Sequence, residues 1–94
     1  MKTKMIQQGD VLLKLRSALP GGLHTAKANI DNDAIVLARG EVTGHRHCIY
    51  GIDKADLYED GNGTLWLKVK QTTEVSHEEH HTQVIEPGIY EICI

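Results

Sequence analysis

The chain has no phenylalanine; its aromatic residues are three tyrosines and one tryptophan among 94 residues. A core drawn from this composition must be aliphatic, made of Ile, Val and Leu. Cysteine is also scarce: Cys48 and Cys93 do not make a disulfide framework and read as free, packed thiols. No apolar run approaches the roughly 20 residues needed to cross a bilayer. The first ten residues, Met1 to Asp10, carry two lysines but no following apolar stretch of signal-peptide length. The expected setting is therefore cytoplasmic, with no membrane partner. Basic charge is lacking too. The formal net charge is −3, and with so few aromatic residues there is neither the basic patch nor the stacking platform of a nucleic-acid binder.

What remains is an ordinary globular composition, 40% hydrophobic and 24% charged, in a length suited to a single domain spanning residues 1–94. The patterning is β. Asp10 to Arg16 places Val11, Leu13 and Leu15 in alternation. Ser17 to Asp33 reads as a long loop, opened by Pro20-Gly21-Gly22 and closed by Asn32-Asp33. Short strands are expected at Ala34–Ala38 and at Glu41–Tyr50, the latter interrupted at Gly44. Ala55–Glu59 and Thr64–Lys70 flank Asp60-Gly61-Asn62-Gly63, which predicts a hairpin. Val84-Ile85 and Gly88–Ile94 follow, separated by Glu86-Pro87-Gly88. No segment of helical period exceeds two turns. The expected fold is all-β, a small antiparallel barrel or sandwich with very little helix. Its apolar last strand, Ile92-Cys93-Ile94, is either buried or an edge, and an apolar edge invites a homo-oligomer.

The histidines are the unusual feature: there are six, and five fall into two groups. His45 and His47 stand two apart. Alternate residues of a strand share a face about 6.5–7 Å apart, so two such imidazoles can lean onto one ion. His77, His80 and His81 lie within five residues, with Glu78 and Glu79 between them. Imidazoles and carboxylates are the ligand set of zinc, nickel or iron. Taken singly, the first group is a surface pair on an edge strand and the second a solvated loop. Together they predict a divalent transition-metal site of His45, His47, His77 and His80, with Glu78, Glu79 or His81 as further candidates. Glu41 shares a strand face with Thr43 and His45 and could orient an imidazole. His77-Glu78-…-His81 also fits the zinc-peptidase pattern H-E-x-x-H, but that chemistry needs a helix, and Thr72-Thr73-Glu74-Val75 before it favours a strand. Cys48, next to His47, points to the opposite face and forms no Cys–His nucleophile pair.

Gly44-His45-Arg46-His47 on a strand, followed by a later histidine, resembles the metal-binding arrangement of the cupins. That resemblance implies a β-barrel holding one divalent metal, with His45 and His47 as the first two histidines and one of His77, His80 or His81 as the last. The cupin motif's glutamate has no counterpart in Gly51-Ile52-Asp53-Lys54. Gln8-Gly9-Asp10-Val11, Gly40 to His47, His77-Glu78-Glu79-His80 and Pro87-Gly88-Ile89-Tyr90 together resemble a set of short bacterial and phage proteins with no assigned activity. That likeness singles out the same four histidines and makes His81 less essential. Two functions follow. One is a small cupin-like β-barrel with a histidine-rich metal site, catalytic or structural, open to a small-molecule ligand. The other is a non-catalytic oligomeric assembly module that holds no metal.

Overall fold

Strand faces in this chain are set by alternation, and the computed structural model, which describes residues 5–39, 46–77 and 81–94, shows where that alternation is buried. Among the described residues, eleven strands run in the order β1 (Met5–Gln8), β2 (Val11–Arg16), β3 (His24–Thr25), β4 (Ile30–Asp31), β5 (Ala34–Arg39), β6 (Arg46–Tyr50), β7 (Ala55–Glu59), β8 (Leu65–Val69), β9 (Thr73–Val75), β10 (Gln83–Ile85) and β11 (Gly88–Cys93). The helical content of the described residues is a single 3₁₀ turn, Lys27–Asn29.

Among the described residues the strands make three antiparallel sheets. Six strands form an open sheet ordered β1-β2-β11-β8-β7-β3, β4-β5-β6 form a second, and β9-β10 are a hairpin. Reciprocal backbone bonds between Cys48 and Ser76, 2.9 and 2.7 Å, tie the end of β9 to β6. A single apolar cluster spans all three. Ile6, Val11, Leu13, Leu57, Leu67, Tyr90 and Ile92 come from the large sheet, Ile35, Leu37 and Ile49 from the second, and Val75 and Ile85 from the hairpin. The all-β expectation holds. The barrel is corrected: the hydrogen-bonded order of the described strands leaves the large sheet open at β1 and β3.

The hairpin over Ala55–Lys70 forms as its alternation requires, with Ala55 opposite Val69 and Glu59 opposite Leu65. Asp60 organises the turn. Its carboxylate accepts from the backbone N–H of Asn62 and Thr64 at 2.8 and 3.0 Å and from Trp66 Nε1 at 3.4 Å. These donors hold the Asp60 carboxyl below its ordinary range, the Asn62 bond contributing most. Gly63 supplies the positive φ of 83° that closes the loop.

One expectation is corrected. The segment 17–33 is not one loop: β3, the 3₁₀ turn and β4 lie inside it. A two-residue strand is too short to show a period of two. Of the two placements left open for the C-terminal strand, the interior one is found: β11 pairs with β2 on one side and β8 on the other. Tyr90, at its centre, is 1% exposed and donates its hydroxyl to the Glu86 carbonyl at 2.8 Å. Burial pushes the Tyr90 phenol pKa up.

Leu67 is fully buried on β8, so Leu67→Ala should cost about 2–5 kcal/mol in urea denaturation. Asp60→Ala should destabilise the chain at neutral pH. Because the folded-state pKa of Asp60 is lowered, its contribution is complete above the unfolded value of about 4 and is lost as pH falls through the folded value. The stability gap between wild type and Asp60→Ala should therefore close only in strong acid.

Candidate metal centre

His47 sits where β5 and β6 lose register. Val36 pairs with Cys48 and Ala38 with His47, so Leu37 is the extra residue of a β-bulge. His47, Cys48 and Ile49 are all buried, at 4%, 2% and 0% exposure. Ile49 joins the main core, whereas Cys48 packs with Ala34 and Val36 in a separate small cluster. Cys48 is the packed small side chain its position predicted. Neither cysteine is in a disulfide.

A buried imidazole must satisfy its polar atoms. His47 Nδ1 lies 2.8 Å from Oε1 of Gln8, itself 3% exposed. The Gln8 Nε2 group donates to the backbone carbonyls of Val75 and His81, at 2.9 and 2.8 Å. An amide nitrogen has two hydrogens, and both are used. The reverse orientation would press the amide oxygen against two carbonyl oxygens. Gln8 Oε1 is therefore the acceptor, Nδ1 of His47 carries the proton, and the lone pair of the neutral ring is on Nε2. A histidine whose second nitrogen is held this way is oriented as a metal ligand is.

His77 comes directly after the Ser76 bridge to β6 and packs on His47, with ring centroids 4.3 Å apart and planes tilted by 40°. The two imidazoles are thus in direct ring contact. With Arg46, Tyr50 and Ser76, His77 also lines an open depression of about 180 Å³. Arg46 pairs with Asp31 at 2.6 Å, linking β6 to β4. That hydrogen bond is the largest cause of the raised pKa of Arg46. Asp10 Oδ1 lies 3.8 Å from Nε2 of His47.

Two of the four expected ligands, His47 and His77, are thus in contact. His45 and His80 lie outside the described residues, as do Glu41, Glu78 and Glu79. Among the described residues, no group of three or more His, Cys, Asp or Glu side chains is placed to hold an ion. His81 enters through its backbone carbonyl. His24 is in β3, at the opposite edge of the large sheet from β1. Neither His77 nor His81 is in a helix, the setting that the peptidase pattern requires; residues 78–80 lie outside the described residues.

Sequence reasoning missed Gln8 and Asp10. A glutamine in a core position looks like a break in the apolar pattern, although Ile6 and Gln8 share the buried face of β1. The signal present was Gly9, whose φ of 62° supports a two-residue turn between Gln8 and Val11.

A family model described as a domain of unknown function, DUF8820, matches residues 7–94. No curated protein and no solved structure matches the chain.

Gln8→Leu should remove the acceptor for the buried His47 Nδ1 and the donor to the buried Val75 carbonyl, at about 1–3 kcal/mol for each group left unpaired. In ¹⁵N NMR of the wild type, neutral His47 should show one tautomer with the proton on Nδ1, and Gln8→Leu should show a mixture. A wild-type ring protonated on Nε2 would contradict the hydrogen-bond assignment.

Proposed function

We propose that this chain, which belongs to the DUF8820 family, is a small metal-binding β protein whose divalent transition metal, of the zinc, nickel or iron class, is held by His47 and His77 together with His45 and His80. The observation that carries this reading is the buried Gln8–His47 pair. Here a fully committed amide holds one nitrogen at 2.8 Å, and the lone-pair nitrogen is on the ring that meets His77. The supporting chemistry is that of carboxamide- or carboxylate-held histidine ligands, whose second-shell bond fixes the tautomer and raises basicity. The reading is cupin-like in one respect: it draws imidazoles from separate segments of an all-β chain, His47 on β6 and His77 just beyond β9, to one ion. The depression beside His77 would give a small molecule access to the ion, as an open coordination position requires.

The test is metal content by elemental mass spectrometry on tag-free protein, before and after a mild chelator and after reconstitution with zinc, nickel or iron. Wild type should hold about one divalent ion per chain. His47→Ala and His77→Ala should lose it, with far-UV circular dichroism unchanged where the ion is not structural. Wild type that neither retains nor takes up any of these ions would overturn the reading.

A further inference from the structure

A larger cavity, of about 380 Å³, lies between the outward face of the β9–β10 hairpin and the turn that follows β6. Its floor follows from strand alternation. Thr73 and Val75 are buried, so Glu74 faces outward, and Val84 stands opposite it in the β9–β10 register. Thr72 and Ser76, two residues to either side of Glu74, extend the same floor. Tyr50 and Lys54 form the wall. Lys54 is fixed through its backbone. Its N–H donates to the Gly51 carbonyl at 3.1 Å, and its carbonyl accepts from the N–H groups of Lys70 and Gln71 at 2.8 and 3.3 Å. We propose that this cavity binds a neutral sugar, with a pyranose ring against Tyr50 and Val84 and its hydroxyls on Lys54, Glu74, Thr72 and Ser76.

The lining is amphipathic, and that selects the ligand class. Tyr50 and Val84 are each 56% exposed, so two large apolar side chains stand open to water in one cavity. They offer a surface to an apolar ligand face. Beside them are one cation and one anion. Among the described residues neither Lys54 nor Glu74 is in an ion pair, with each other or with a third group. An anionic ligand would be attracted by Lys54 and repelled by Glu74, and a cationic one the reverse. An apolar ligand would strip water from both charges and return no hydrogen bond.

A neutral sugar suits the whole set. Each of its hydroxyls is both donor and acceptor, so it can donate to the Glu74 carboxylate and accept from the Lys54 ammonium. The C–H face of the ring supplies the apolar contact. The volume falls within the range of about 300–1,000 Å³ found for small-molecule sites. Tyr50 and Ser76 also line the depression beside His77, so the sugar cavity and the candidate metal centre share a wall. The sugar site itself needs no ion.

The test is an NMR titration of the full ¹⁵N-labelled chain, in the presence of a mild chelator so that the outcome is independent of any metal. The probes are glucose, galactose, mannose and N-acetylglucosamine, with glycine and leucine as zwitterions that also carry both charges. At least one sugar should shift the amides of residues 50–54, 72–76 and 84 saturably, and the amino acids should not. Tyr50→Ala should weaken that sugar about tenfold. Glu74→Ala should weaken it too, and Glu74→Gln, which keeps an acceptor, should weaken it less. Ile94→Ala, at a side chain 78% exposed at the end of the chain, should leave binding unchanged. Unmoved amides in the large sheet report that each variant is folded. No saturable shift with any of the sugars would overturn the proposal, as would shifts that map outside the cavity or survive Tyr50→Ala undiminished. Saturable binding of glycine or leucine in place of the sugars would overturn it in favour of a zwitterion site.

Discussion

The buried amide of Gln8 is the constraint on which the rest of the candidate site depends. It is a polar group in a place where the alternation of β1 calls for an apolar one, and burying it unsatisfied would cost several times the net worth of an ordinary hydrogen bond. Its three bonds reach β6 through His47, the end of β9 through Val75 and the approach to β10 through His81. The edge of the large sheet, the second sheet and the β9–β10 hairpin are therefore held in register around one side chain. Apolar packing is non-directional and could tolerate small slips between these layers. A fully committed amide cannot, because each slip would leave a donor or acceptor buried without a partner.

That arrangement explains why a histidine can occupy the interior of a chain with so few aromatic residues to build around it. The bulge at Leu37 accommodates the local irregularity, letting His47 and Cys48 both be buried on opposite faces of β6. His77 is delivered by a different device, the two-bond bridge between Ser76 and Cys48. The two rings thus meet through backbone pairing on one side and side-chain bonding on the other. The contact is a product of the fold and not of sequence proximity.

Much of the architecture was legible in the sequence, for definite reasons. The β7–β8 hairpin announced itself because Leu65, Leu67 and Val69 alternate cleanly and Asp60 opens a turn whose donors it can accept. The spacing of the histidines suggested that the two groups share a site; one member of each, His47 and His77, is in contact, and His45 and His80 lie outside the described residues. Three features were hidden. β1 carries its decisive core residue as a glutamine, which pattern reading treats as surface. β3 and β4 are two residues each, below the length at which periodicity exists. The central position of β11 depends on partners about 75 residues away in β2, and nothing local encodes which neighbours an apolar strand will find.

The placement of β11 has a consequence for how the molecule comes into being. Of the described strands it is the last to be synthesised, yet it lies in the interior of the six-stranded sheet, with β2 and β8 as its neighbours. Until it emerges, the β1–β2 and β7–β8 hairpins have no strand between them, and each presents apolar residues to water without the layer that covers them. Two-stranded hairpins of this kind are marginal in isolation. The six-stranded sheet therefore cannot be continuous until β11 is in place between β2 and β8. The same pairing places the buried Tyr90 ring in the core, so the strand that completes the sheet also completes part of the core.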